Sequence, residues 1–296
     1  MVDLVQKDRI YELKVGDTST GNGLLITNNL QISFDVSKAS SNKDRTNSAT
    51  IEIYNLSDDS LKLIDVDYPF ASLSVGYRQV GLKKIISGQV TDVTTRKSGT
   101  DRITQITIGS AYKKLNHELI SKTLPPGKVR DAFEELAKQI GVSRTVFNSV
   151  NLESPIINGY PLSGTKREML DELSEKYGVD WQIDDDTLYV HDSDRGNSEK
   201  FELAYVVSKY TGLIENAYRV SGDVRRSEKD KVKKPGVQFK MLLNPDIVAG
   251  SILKLEDTLI QGWIKADSLR HSGSWSGNDW YTEVQGSMIE KVVNNA

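Results

Sequence analysis

Apolar and polar positions alternate through the first third of the chain. Ile32, Phe34 and Val36 take turns with Ser33 and Asp35, as one half-buried strand requires, and Leu24-Leu25-Ile26 precedes them across Thr27-Asn28-Asn29. Ala49, Ile51 and Ile53 alternate in the same way with Thr50, Glu52 and Tyr54. That strand stops at Asn55-Leu56-Ser57, where Asn55 or Ser57 can cap a short helix from Asp58 to about Ile64 with carboxylates in its first turn. Further strands are predicted over 72–77, 84–93 and 102–108, with polar residues 37–48 as a connection. Many short strands broken by turn residues predict a sandwich or barrel for residues 1–110.

The period then changes. Val129, Ala132, Phe133, Leu136, Ala137 and Ile140 fall at helical spacing before Gly141, a C-cap residue. A second helix opens on the capping box Thr165-x-x-Glu168, buries Met169, Leu170 and Leu173 with Tyr177 beside them, and ends at Gly178. Residues 179–183 and 187–190 make a hairpin across Asp184-Asp185-Asp186. Strands return over 213–221, 237–243, 251–256, 262–270 and 280–289, and Arg225 to Lys234 form a hairpin tip too charged to bury. The plan is β, α+β, β, with units at 1–110, 111–200 and 201–296. No repeat of residues relates the two β thirds, although their sizes match.

At 296 residues and 33.0 kDa the chain is long enough for two or three cores. No apolar run reaches the length that crosses a membrane, and Met1 to Lys7 lack the basic-then-apolar order of a secretory signal. Cysteine is absent, which excludes disulfides and thiolate metal sites. A net charge of -3 gives no general affinity for nucleic acid or acidic lipid. Lys and Arg number 12 against 16 Asp and Glu in residues 111–200, whereas both flanks are close to neutral.

Candidate chemistry is sparse, and no catalytic or cofactor-binding set emerges. The histidines are His117, His191 and His271. A metal site of His271 and Asp279 around one Gly/Ser loop falls short of the usual three or four ligands, so polar side chains satisfying that loop are preferred. Asp184-Asp185-Asp186 lacks calcium-loop spacing and reads as a solvated turn. Glu134, Glu135, Glu168 and Glu172 read as surface charge rather than a glycosidase pair. Trp263, Trp275 and Trp280 read as core or interface residues in preference to sugar or base stackers. The basic run offers Arg225, Arg226, Lys229, Lys231, Lys233 and Lys234 as a partner or lumen contact, against the simpler reading of a solvated tip.

Three segments together resemble the baseplate hub family of contractile-tailed phages, which is related to late control protein D and to the hub part of type VI secretion spikes. They are Ala49-Thr50-Ile51-Glu52-Ile53-Tyr54-Asn55-Leu56-Ser57 with the later Ile86-Ser87-Gly88-Gln89-Val90; Leu162-Ser163-Gly164-Thr165 with Tyr177-Gly178-Val179-Asp180-Trp181; and Leu243-Asn244-Pro245-Asp246 leading to His271-Ser272-Gly273 and Asp279-Trp280-Tyr281. The resemblance implies two tail-tube-type antiparallel β-barrel domains flanking a small two-helix α+β domain. It implies a non-enzymatic structural protein, a homotrimeric ring joining tail tube to central spike and leaving a channel for DNA ejection. Implied partners are a separate spike protein, a tube or tube-initiator protein, baseplate wedge proteins and a tape measure protein; DNA passes only transiently. The expected location is the virion's tail baseplate, after synthesis in the host cytoplasm. The basic run at 225–234 departs from the family pattern. Two other readings are a tail-tip cell-wall hydrolase and a carbohydrate-binding tail adhesin.

Overall fold

The structure, a computed structural model, describes residues 6–16, 22–39, 47–64, 69–109, 115–184, 186–192, 205–220 and 236–289. The first third supplies β1 (Arg9–Gly16), β2 (Gly23–Thr27), β3 (Ile32–Ala39), β4 (Ser48–Tyr54), the helix α1 (Asp58–Ile64), β5 (Phe70–Tyr77), β6 (Gly81–Ser98) and β7 (Asp101–Gly109). The middle supplies β8 (Leu119–Leu124), β9 (Gly127–Lys128), the helix α2 (Val129–Ile140), β10 (Arg144–Asn148), β11 (Pro155–Ile156), β12 (Tyr160–Thr165), the helix α3 (Lys166–Tyr177), β13 (Val179–Asp184) and β14 (Thr187–Asp192). The last third supplies β15 (Tyr205–Ser208), β16 (Tyr218–Val220), β17 (Gly236–Leu242), β18 (Ile252–Glu256), β19 (Gln261–Ser274) and β20 (Trp280–Ile289).

The flanking thirds form one 13-stranded sheet in the order β16-β17-β20-β19-β3-β4-β7-β6-β5-β1-β2, with β18 and β15 branching from β19. In β1, Tyr11, Leu13 and Val15 are buried while their neighbours are not, a period-two signal that the sequence reading passed over. These residues share one core with Phe34, Ile51, Leu73 and Ile106. In a flat sheet β1 and β3 would lie about 24 Å apart, five strand spacings. Yet the Tyr11 hydroxyl donates to the Leu30 carbonyl just before β3, at 2.5 Å. The sheet therefore curls round its core. No pairing joins β2 to β3, so among the described residues the curl stays open and the expected closed barrels are not formed. Helix α1 begins where Ser57 accepts the Ser60 N–H at 3.2 Å, and Ile64 enters the same core.

The two halves of this sheet repeat one pairing pattern, position for position. Ser37, Ser48, Gly109, Gln89 and Phe70 lie opposite one another across β3, β4, β7, β6 and β5. Val220, Gly236, Ser287, Lys265 and Ile252 do so across β16, β17, β20, β19 and β18. Every pairing in both sets is antiparallel. Two residues beyond each row the long hairpin strand carries a bulge, at Thr91 in β6 and at Asp267 in β19. Each bulge marks the point where the strand leaves its outer neighbour, β5 or β18, while it continues beside β7 or β20. None of the five matched positions carries the same residue, so the duplication is invisible as residue identity. It ends at the outer strands, since β1 runs antiparallel to β5 while β15 runs parallel to β18.

The middle segment has its own core, in which α2 lays Phe133 and Leu136 against Leu170, Leu173, Trp181 and Leu188. Gly141 and Gly178 end the two helices at φ 77° and 65°, conformations that favour glycine. The capping box holds: Glu168 N–H donates to Thr165 Oγ1 at 3.2 Å and Thr165 N–H to Glu168 Oε2 at 2.7 Å. Strands β8, β10, β12 and β15 were not expected, and the strand predicted over 213–221 pairs with β17 as β16 from Tyr218 to Val220 and through an isolated bridge from Leu213 to Met241.

Candidate assembly joint and open sheet edges

The two halves meet where β3 pairs with the far part of β19, in seven antiparallel pairs from Ser268↔Ala39 to Ser274↔Ser33. That part of β19 is available because its bulge has carried it past the end of β18. Gly273 faces Phe34, and a Cβ there would lie 2.3 Å from Phe34 Cζ and 2.8 Å from Trp280 Cε3. The missing side chain lets Phe34 and Trp280 meet edge to face, with centroids 5.2 Å apart. Gly273→Ala is expected to destabilise the protein by about 1–3 kcal/mol, read by urea unfolding, because neither ring has room to yield.

The Gly/Ser loop is gripped from the first half. Arg9 donates to the carbonyls of Ser274, Gly277 and Asn278 at 3.3, 2.6 and 3.1 Å. The Trp275 N–H donates to the Ile32 carbonyl at 2.9 Å, and its ring meets Tyr11 edge to face at 5.4 Å. Arg270 forks onto Asp35 across the joint. The Asn-Pro-Asp turn closes the other side. Leu243 enters the first core, Asn244 Oδ1 accepts the Asp246 N–H at 3.0 Å, and Asp246 forms an ion pair with Lys83 of β6.

Beneath the joint lies a chain of buried polar groups. The Thr282 hydroxyl accepts the Asn244 N–H at 3.0 Å and lies 2.9 Å from His271 Nδ1. The imidazole also hydrogen-bonds to the Ile247 backbone, so Nδ1 accepts the Thr282 proton and the ring is neutral. Burial first, then the nearby Lys38 cation, pushes the His271 pKa down to about 3, against the opposing pull of Ile247 and Asp184. Lys38 forms an ion pair with Asp184 at 2.8 Å, both side chains nearly excluded from solvent. Asn47 accepts the Ala39 N–H at 3.1 Å and donates to the Ile183 carbonyl at 3.2 Å. These bonds tie the middle segment to β3 and β4.

Two expectations are corrected here. His271 sits on a strand inside the protein, bound to Thr282, and does not join Asp279 across a loop. Asp184 is not a solvated turn residue but a buried ion-pair partner. The surface-charge reading holds for the exposed Glu134, Glu168 and Glu172, with Glu172 accepting from the Tyr160 hydroxyl at 2.6 Å, and the half-buried Glu135 pairs with Lys122. Trp280, 1% exposed, is part of the core, as the sequence predicts. Arg225, Arg226, Lys229, Lys231, Lys233 and Lys234 lie outside the described residues. Among the described residues no three His, Asp or Glu side chains converge as a metal set, and no helix is long and apolar enough to cross a membrane.

Two borders resemble the joined ones but are open. Among the described residues, β16 pairs only with β17, and β6 beyond its bulge pairs only with β7. The outer edge of β2 is open in the same sense. Open edges of this kind hold unpaired backbone donors and acceptors and template further strand pairing.

No protein with a curated description matches the sequence. Among solved structures the fold is similar to the 43 kDa tail protein of prophage MuSo2 from Shewanella oneidensis, with TM-score 0.66, 9% identity and coverage of 95% of this chain and 98% of that one. It is also similar to a tail protein from Neisseria meningitidis MC58, with TM-score 0.64, 12% identity and coverage of 94% and 96%. A third is the E. coli c3393 protein, a type VI secretion component described as structurally similar to the T4 tail proteins gp27 and gp5 (TM-score 0.59, 9% identity, coverage of 88% and 74%). At these identities the likeness concerns the fold. The family model Baseplate hub gp41 matches residues 12–261, most of the chain, and the protein belongs to that family of phage baseplate hub proteins.

Proposed function

We propose that this protein is the structural hub of a phage tail baseplate: three copies form a ring that connects the tail tube to the central spike and leaves a channel through which DNA leaves. The observation that carries the reading is the duplicated half-sheet, joined once within the chain and, among the described residues, open at the matching borders. Two like halves per chain let three copies present six similar units, which reconciles a three-fold spike with a six-fold tube. A curved sheet with open borders gains its missing backbone hydrogen bonds when a neighbour supplies the next strand, and cyclic closure then fixes the number of copies.

Residues 1–110 and 201–296 act as tube-type units and 111–200 as the module between them; the three hydrophobic clusters support this division, with Leu243 and Trp280 of the last third joining the first cluster at the joint. The protein acts by assembly and not by catalysis. Its partners are its own copies, a spike protein, a tube or tube-initiator protein, wedge proteins and the tape measure protein, in the virion baseplate after synthesis in the host cytoplasm. Arg225, Arg226, Lys229, Lys231, Lys233 and Lys234 serve as a partner or lumen contact; a tight hold on DNA would defeat a conduit. Light scattering on the purified protein, alone and with its spike protein, is expected to give a three-copy mass. A strict monomer that never captures the spike would overturn the reading.

A further inference from the structure

The open borders are not any two borders: they are the counterparts of the two that are already joined. Aligning the halves by their shared register sets β16 on β3, and it sets β6 beyond Thr91 on β19 beyond Asp267. Within the chain, β3 and that part of β19 pair with each other. We propose that β16 of one copy pairs antiparallel with the far part of β6 in the next copy, in the register of the β3–β19 joint.

The correspondence fixes the pairs. Arg270↔Ser37, His271↔Val36 and Ser272↔Asp35 in the covalent joint translate into Thr94↔Val220, Thr95↔Arg219 and Arg96↔Tyr218 between copies. The local chemistry repeats too. The Thr95 and Thr104 hydroxyls lie 3.1 Å apart, at the positions where His271 and Thr282 meet at 2.9 Å. His271, on the edge that β3 pairs, is buried, whereas Thr95 is exposed on the uncovered edge. Thr94, Thr95 and Arg96 form an exposed polar row, and Tyr218 on the opposite border is 53% exposed although aromatic. A joint of two different borders is head-to-tail, so it closes into a ring if its rotation allows and otherwise extends as a filament. The proposal rests on the three-copy reading above and specifies the contact that holds the copies together.

The chain contains no cysteine, which makes disulfide mapping direct. Two double variants test the register: Thr95→Cys with Arg219→Cys, and Thr94→Cys with Val220→Cys. Adjacent cross-strand pairs alternate between Cα separations of about 4.5 and 5.5 Å, both within disulfide reach. Lys97→Cys with Val220→Cys is the control, three residues or roughly 10 Å out of register. Because each pair occupies two far-apart borders of one chain, mild oxidation of the full-length variants can link only separate copies. Non-reducing gels are expected to show covalent species ending at three copies, at least tenfold more abundant in one matched variant than in the control. A three-copy particle by light scattering with no matched cross-link, or with equal cross-linking of the control, overturns this joint and leaves the ring standing. A protein that stays monomeric at every concentration and never cross-links removes both.

Discussion

Lys38→Met is expected to lower the unfolding free energy by about 3–5 kcal/mol, the cost of leaving one charge of a buried pair without its partner. The pair spans the boundary between the curved sheet and the middle module, since Lys38 lies on β3 and Asp184 ends β13. Its contribution is one of arrangement. Bringing both groups out of water costs nearly as much as their attraction returns, so the pair adds little net stability while penalising any placement of the module that separates them. The double variant Lys38→Met with Asp184→Asn is therefore expected to lose much less than the sum of the single changes. Urea unfolding of the four proteins completes the cycle. If Lys38→Met falls within about 1 kcal/mol of the unaltered protein, the pair does not hold the module in place.

The second large effect is a loss of stability in acid that His271 controls. In the unfolded chain an imidazole titrates near 6.5, whereas inside the joint it is pushed down to about 3. Between these values the unfolded state binds a proton that the native state refuses. Stability is therefore complete above about pH 6.5 and falls as the pH drops toward 3, with a slope approaching ~1.4 kcal/mol per pH unit. Two units of acidification thus remove a few kcal/mol through this one group, on the same linkage. Charging the ring would bring a cation up to Lys38 and convert Nδ1 from an acceptor for the Thr282 proton into a second donor. Unfolding of His271→Gln followed from pH 7 to pH 4 should lose about one proton's worth of that slope, because an amide can donate and accept without charging. Parallel curves for the two proteins would show that acid acts elsewhere.

Both effects arise at a place the sequence reading approached from the wrong side. Asp184 looked like one of three turn acids, and turn acids are ordinarily solvated. Only the pairing of β13 with β14, and the docking of that hairpin under β3, brings it to Lys38. His271 reads in the sequence as part of a Gly/Ser loop, yet β19 runs on to Ser274 and places it within a strand. The Leu-Asn-Pro-Asp and Asp-Trp-Tyr segments drew notice in the sequence without a physical role. Their role is to fasten one half of the sheet to the other through Leu243, the Lys83 ion pair and the Phe34–Trp280 contact.

What the chain announces by itself is everything with a short range. Apolar runs placed β4, β5, β7 and β20 to within a residue or two, Ser57 and Thr165 marked two helix starts, and Gly141 and Gly178 marked two helix ends. Those signals depend on which side of a strand or helix meets water and on caps that act over three or four residues, so they are written locally. The duplication of the two halves, the β3–β19 joint and the choice of open borders were decided only by the tertiary structure. Backbone hydrogen bonds fix them, and a backbone pairs alike whether Gln89 or Lys265 stands at the position. Register shared between distant strands leaves no trace in residue identity, because the groups that specify it are the ones every residue carries.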